Sequence, residues 1–277
     1  MQGDTGLGDP GLGDAGEPAA EPAAEPAAEP AAEPAAEPAA EPGIGAVFRP
    51  VRAGNAFEET VERLLQVIKL GVVGHGGKLP PERELAPRLG VSRVTLREAI
   101  RALQQEGYVE SRRGRAGGTF VTYRPPRPRR GDLARVAAGR GEQLADALTY
   151  RMAVETGAAA HLASTGLSPA DAARLRAALD AVNTAGEADY RRLDTLFHLT
   201  IAELTGSELL AGACADARMR VTDLLNAIPV LQRNIEHAAV QHAAVVTAIL
   251  AGDPEAARRA VAEHLEGTAA LLRGFLG

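Results

Sequence analysis

Seven Glu-Pro pairs, from Glu17-Pro18 to Glu41-Pro42, repeat as EPAA with a period of four residues. Proline every fourth residue removes an i→i−4 hydrogen bond from each turn and disfavours the helical region in the residue before it. Despite its Ala and Glu content, residues 1–46 are expected to form an extended, solvated tail. The folded part must come from the roughly 230 residues that follow, enough for about two domains.

Charge divides the chain in three. Residues 1–46 hold ten acids and no base, a net of −10; residues 47–131 carry 17 Lys or Arg against eight acids, a net of +9; residues 132–277 have a net of −5. The overall charge of −6 therefore conceals a middle segment basic enough to seek a polyanion. The acidic tail either serves as a solubilising extension or folds back onto that segment and competes with its ligand.

With nine aromatics, no Trp and a heavy load of Ala and Leu, helix is expected to dominate over a sandwich or barrel. No run approaches a membrane span and Met1 opens no secretory leader, so a soluble, cytoplasmic protein is expected. The single cysteine, Cys214, rules out an internal disulfide and a Cys-built zinc site.

In the basic segment, Asn55 and Glu58 suit a capping box, and Phe57, Val61, Leu64 and Ile68 follow at helical spacing. A second, short helix spans Glu82 to Leu89 and stops at Gly90; a third starts at the N-cap Ser92, stapled by Val91 and Leu96, and ends at Gly107. Tyr108–Arg113 and Thr119–Tyr123 read as the strands of a basic hairpin. On the third helix Arg93 and Arg97 are i and i+4 and share a face near Thr95, while Leu96, Ile100 and Leu103 take the other. Arginine matches guanine's two major-groove acceptors and also grips phosphate, so a winged helix-turn-helix that reads double-stranded DNA is expected.

The run LPPERELAPRLGVSRVTLREAIRALQQEGYVESRRGRAGGTFV, Leu79 to Val121, resembles the DNA-binding domain of GntR-type bacterial transcription regulators. The resemblance implies DNA contacts by Arg83, Ser92, Arg93, Thr95 and Arg97, with Arg113 and Gly114 of the wing approaching the minor groove. Two residues depart from the pattern: Pro81 replaces the usual Ser cap, and Pro87 lies inside the second helix, a cost of up to about 3 kcal/mol.

Arg124–Gly131 (RPPRPRRG) reads as a stiff basic linker within 124–141. Beyond it, helical patterns over 142–164, 169–185, 187–205, 208–227, 229–251 and 254–273 imply an antiparallel bundle. Asp194 and His198 are i and i+4 on the third of these helices; His242 and His264 fall on the fifth and sixth. Oxygen and imidazole donors without thiolate suit Zn, Ni, Mn, Fe or Co, and an octahedral ion would keep two positions for water or a small carboxylate. Each His taken alone is more often structural. Arg151 and Glu155, i and i+4, either pair with each other or leave Arg151 for the free end of an acidic ligand. His237, about 140° round the helix from His242, is expected to stay out of the site.

The segments D194-T-L-F-H198, T205-G206-S207 and QHAAVVTAILAGDPEAARRAVAEHL (241–265) resemble the FCD domain, the sensor of the FadR-type branch of GntR regulators. That resemblance implies a divalent metal held by Asp194, His198, His242 and His264, and a small organic acid effector. The expected organisation is a tail (1–46), a winged helix-turn-helix domain with a hairpin wing (47–123), a linker (124–141) and an all-α sensor (142–277). Together these imply a homodimeric transcription regulator, a repressor, bound to operator DNA. Two alternatives compete: a metal-dependent hydrolase-like enzyme fused to a DNA reader, and a sequence-neutral DNA-binding protein.

Overall fold

The computed structural model describes residues 44–48, 50, 55–126 and 141–276; most of the expected tail and linker lies outside them. The described part is mainly helical. In order it contains α1 (Ile44–Val47), α2 (Ala56–Lys69), α3 (Glu82–Leu89), α4 (Arg93–Gln105), β1 (Val109–Arg112), β2 (Gly118–Val121), α5 (Gly141–Thr165), α6 (Pro169–Asn183), α7 (Glu187–Leu204), α8 (Glu208–Asn226), α9 (Gln232–Leu250) and α10 (Pro254–Leu276).

Helices α2 to α4 and the hairpin form the reader. Ser92 caps α4, its hydroxyl accepting the Thr95 amide at 3.0 Å, and Gly107 at φ 75° ends it, with Tyr108 N–H reaching back to Leu103 O at 2.9 Å. Leu96, Ala99, Ile100 and Leu103 bury one face of α4 against α2 and α3. The hairpin is antiparallel, pairing Val109 with Val121 and Arg112 with Gly118, and Lys78 adds a bridge to Phe120.

Local expectations fail at two places on α2 and hold against strain at a third. Asn55 forms no side-chain cap bond, and Phe57 is 38% exposed rather than core-facing, because burial on α2 shifts to Leu64, Val67 and Ile68. Pro87 sits inside α3, which nonetheless continues to Leu89 because Leu85, Ala86 and Leu89 are buried around it.

The segment expected to be the sensor is a six-helix bundle in which α5 packs on α7, α8, α9 and α10. Its core joins Leu162, Leu175, Phe197, Val245 and Val261. A second apolar cluster is continuous from the reader (Leu64, Val67, Leu103) to the sensor (Leu199, Cys214, Ala215). Helix α1, placed by the sequence in the acidic tail, lies at this junction: Ala46 and Val47 are buried and Ala46 N–H donates to Glu203 of α7 at 3.1 Å.

Candidate functional site

On the reader, α4 presents its polar face outward. Arg93 is exposed, and Arg97 is 56% exposed with its Nε donating to Glu82 Oε2 at 2.7 Å. Thr95 is half-buried, its hydroxyl 2.9 Å from that of Ser92, and Ser92 is itself exposed. Arg83 is exposed beside Glu84 at 3.3 Å. In the wing, Arg113 is exposed and Gly114, at φ 101°, makes the turn. Arg112 lies over the Phe120 ring, 4.4 Å from its centroid, which stiffens the strand that carries the wing. All seven residues expected at DNA thus fall on α3, on α4 with its Ser92 cap, and on the wing, and six are exposed.

Inside the sensor, Asp194 and His198 from α7, His242 from α9 and His264 from α10 converge, their ligand atoms all within 4.8 Å of one another. His198 Nε2 lies 3.2 Å from His264 Nε2, and His242 Nε2 lies 3.3 Å from Asp194 Oδ1. Ligands about 2.0–2.1 Å from one ion stand about 3.0–3.4 Å apart; these two spacings fall in that range, whereas Asp194 Oδ1 lies 3.9 Å from both His198 Nε2 and His264 Nε2, a set that a cation would draw together.

The groups behind the cluster support that fit. His198 Nδ1 faces Glu155 Oε2 at 2.8 Å and His264 Nδ1 faces Gln241 Oε1 at 3.2 Å. A proton on each Nδ1 would leave two Nε2 lone pairs facing each other, a repulsion that a cation removes. His242 is fully buried; its Nδ1 has no hydrogen-bond partner and its Nε2 faces Asp194 Oδ1 alone.

Burial and the neighbouring Arg218 push the His198 pKa down to about 4, and burial with the two neighbouring imidazoles lowers His264 well below its ordinary range. Both rings are therefore neutral near pH 7, as ligation requires. Burial by itself would raise Asp194, but the Arg218 guanidinium and the nearby histidines hold it well below the usual carboxylate range. The ionised carboxylate and neutral imidazoles could hold a divalent ion.

Two groups at this centre, Arg218 and Gln241, escaped the sequence reading. Arg218 of α8 is 2% exposed and grips Asp194 Oδ2 while lying 3.2 Å from Glu155 Oε2. Glu155 accepts from Arg151 Nε at 2.7 Å as well, so the Arg151–Glu155 pair, one of the two alternatives, is present as part of a buried network. The available signal was an arginine among the buried Ala211, Cys214, Ala215, Ala217 and Val221 of α8, a position tolerated only with carboxylate partners. Arg151 Nη1 is also buried and has no hydrogen-bond partner.

The centre opens into a cleft of about 1640 Å³ that runs from Asp194, Arg151 and His264 to Gly71 and Gly74 of the reader. His237 is outside the ligand cluster, as expected, but it lines this cleft. Gly71 has φ 71°, and a Cβ there would fall 2.6 Å from Arg192 Cγ, so the reader's turn can meet α7 this closely only as glycine.

Residues 57–121 match the gntR family of bacterial regulatory proteins and residues 146–267 match the FCD domain. The chain is 30% identical over 236 residues to the "Putative L-lactate dehydrogenase operon regulatory protein" of Escherichia coli, covering 79% of this chain and 86% of the relative. It is 31% identical over 235 residues to the "Putative HTH-type transcriptional regulator RmpR" of Mycobacterium gastri, covering 79% and 81%. Among solved structures, E. coli McbR/YncC aligns with 80% of this chain and 99% of its own at 22% identity, with a TM-score of 0.49. No described helix is long and apolar enough to cross a membrane. With a gntR-type reader, an FCD domain and relatives named as regulators across most of its length, the chain belongs to the GntR family of bacterial regulatory proteins and is a DNA-binding transcription regulator with an FCD domain.

Proposed function

We propose that this protein is a cytoplasmic, homodimeric repressor whose hold on a palindromic operator is set by a small organic acid bound beside a divalent metal in the sensor. Asp194, His198, His242 and His264 would hold the ion, of the Zn, Ni, Mn, Fe or Co class. When bound, the ion would supply a Lewis-acid anchor for a carboxylate. The observation that carries the reading is the pairing of that cluster with Arg151 Nη1, a buried donor without a partner on the same cleft. An anionic ligand with one end at the cluster would give that donor an acceptor for its other end.

Helix α8 supplies a route from ligand to DNA. It carries Arg218, bound to Asp194 and Glu155, and also Asp216 and Asp223, which meet Arg63, Gln66 and Lys69 of the reader's α2. An effector that binds the DNA-free arrangement more tightly would release the operator. In that dimer, two exposed α4 faces would enter successive major grooves while Arg113 and Gly114 approach the flanking minor groove. An enzymatic reading is less favoured because Glu155, the carboxylate nearest the cluster, is already occupied by Arg151, Arg218 and His198.

One relative is named for an L-lactate dehydrogenase operon, which makes small hydroxy acids the first class to try. The test measures metal content of the purified chain and thermal shifts with hydroxy- and dicarboxylates. Stabilisation by an acid that disappears after chelation supports the proposal. Equal shifts with and without metal overturn it.

A further inference from the structure

Apart from the charged and hydroxyl residues already assigned to DNA, the first turn of α4 presents one large apolar group. Val94 is 64% exposed, between Arg93 and Thr95. It follows Arg93 directly after the Ser92 cap, while the buried face of the helix is built from Leu96, Ala99, Ile100 and Leu103. A β-branched residue at an exposed helical site loses side-chain freedom and gains no packing in return. With most of its surface in solvent, its isopropyl group adds little packing to the fold.

Three side chains around it are held in place. The Ser92 hydroxyl accepts the Thr95 amide and meets the Thr95 hydroxyl, and Arg97 Nε is held by Glu82. These bonds fix the first turn, so Val94 is presented on a rigid element rather than on a loop. The opening turn of a recognition helix meets base edges. Of the groups that base pairs display in the major groove, the thymine C5-methyl is the apolar one.

We infer that Val94 is a specificity residue that reads a thymine methyl in each operator half-site. Val94 and Arg97 are three residues apart, about 4.5 Å along the helix axis, and share a face. That distance is close to one step of about 3.4 Å between stacked bases. The thymine therefore lies one or two base pairs from the guanine or phosphate that Arg97 engages.

The experiment selects duplex sites from a random library with the full-length chain, then replaces each thymine of the enriched half-site with deoxyuridine, which removes only the methyl. The parent chain is expected to lose about three- to tenfold in affinity at one thymine per half-site, the scale of a lost methyl contact. Val94→Ser, with an unchanged thermal midpoint, is expected to bind the thymine and deoxyuridine duplexes equally. Val94→Ala should show an intermediate penalty. The inference is overturned if no deoxyuridine substitution weakens the parent chain, or if Val94→Ser retains the full penalty. A selection that enriches no thymine within two base pairs of the Arg97 contact also overturns it, whereas one that enriches no sequence at all overturns the sequence-specific reader itself.

Discussion

Gln66 of the reader's α2 donates from Nε2 to Asp216 Oδ1 of the sensor's α8 at 2.8 Å, and it is almost fully buried. Arg63 Nη1 meets the same oxygen at 3.1 Å, and Lys69 reaches Asp223 at 3.2 Å one helical stretch later. A buried amide bonded to a carboxylate across two domains is costly to disrupt, because its loss leaves polar groups unsatisfied. Gln66→Leu is expected to destabilise the chain by about 1–3 kcal/mol. It should also move toward one the ratio of operator affinities of the metal-loaded chain with and without the hydroxy acid that stabilises it. Urea unfolding and fluorescence anisotropy check both, and an unchanged ratio would remove α8 as the connecting element.

On the DNA face, Arg93→Ala is expected to cost about 1–3 kcal/mol of operator binding and to relax discrimination at one position. Arg113→Ala in the wing should weaken random and operator duplexes more evenly. Titrations at several salt concentrations separate the two, since loss of a phosphate contact reduces the salt slope by about one.

At the metal cluster, His198→Ala is expected to abolish the thermal shift produced by Zn2+ or Mn2+ while leaving DNA binding in place. Glu155→Gln should lower metal affinity about 10- to 100-fold by loosening the His198 ring. The same change leaves Arg151 and Arg218 buried beside a neutral amide, so it should destabilise the chain by about 3 kcal/mol. Metal titration and urea unfolding of both variants provide the check.

Tyr123, at the end of the reader, has its phenol pushed up to about 12 by burial, with Asp223 and Tyr108 adding to the effect. A phenol whose pKa is higher folded than unfolded stabilises the fold below about pH 10, and that contribution is lost as pH rises through 12. The parent chain should therefore lose stability more steeply between pH 10 and 12 than Tyr123→Phe. Thermal melts across that range test it, and equal slopes would contradict it.

The helical plan was legible because its punctuation is local. Ser92, Gly90, Gly107, Pro169 and Pro254 mark ends that the structure places within a few residues of expectation. The expected start at 229 moved to Gln232 because Leu231, an extended residue with no side-chain cap, precedes α9. Asn55 shows the limit of such signals: its capping pattern is present, but its backbone does not aim the side chain at the helix amides. Of the four candidate ligands, Asp194 and His198 were legible as an i, i+4 pair, and the resemblance to the FCD domain joined His242 and His264 to them. Arg218 and Gln241 were not legible, because their roles depend on partners from other helices. Arg151 and Glu155 read identically as a surface pair or a buried one until α7 and α8 close over them.

The most direct test of the account compares operator affinity of the chelator-stripped chain with that of the metal-loaded chain, each across a series of small hydroxy acids. The expected result is an acid that changes operator affinity at least tenfold in the metal-loaded parent chain and has no effect after stripping or in His198→Ala. An equal response in all three would contradict the claim that the sensor's Asp–His cluster governs DNA binding.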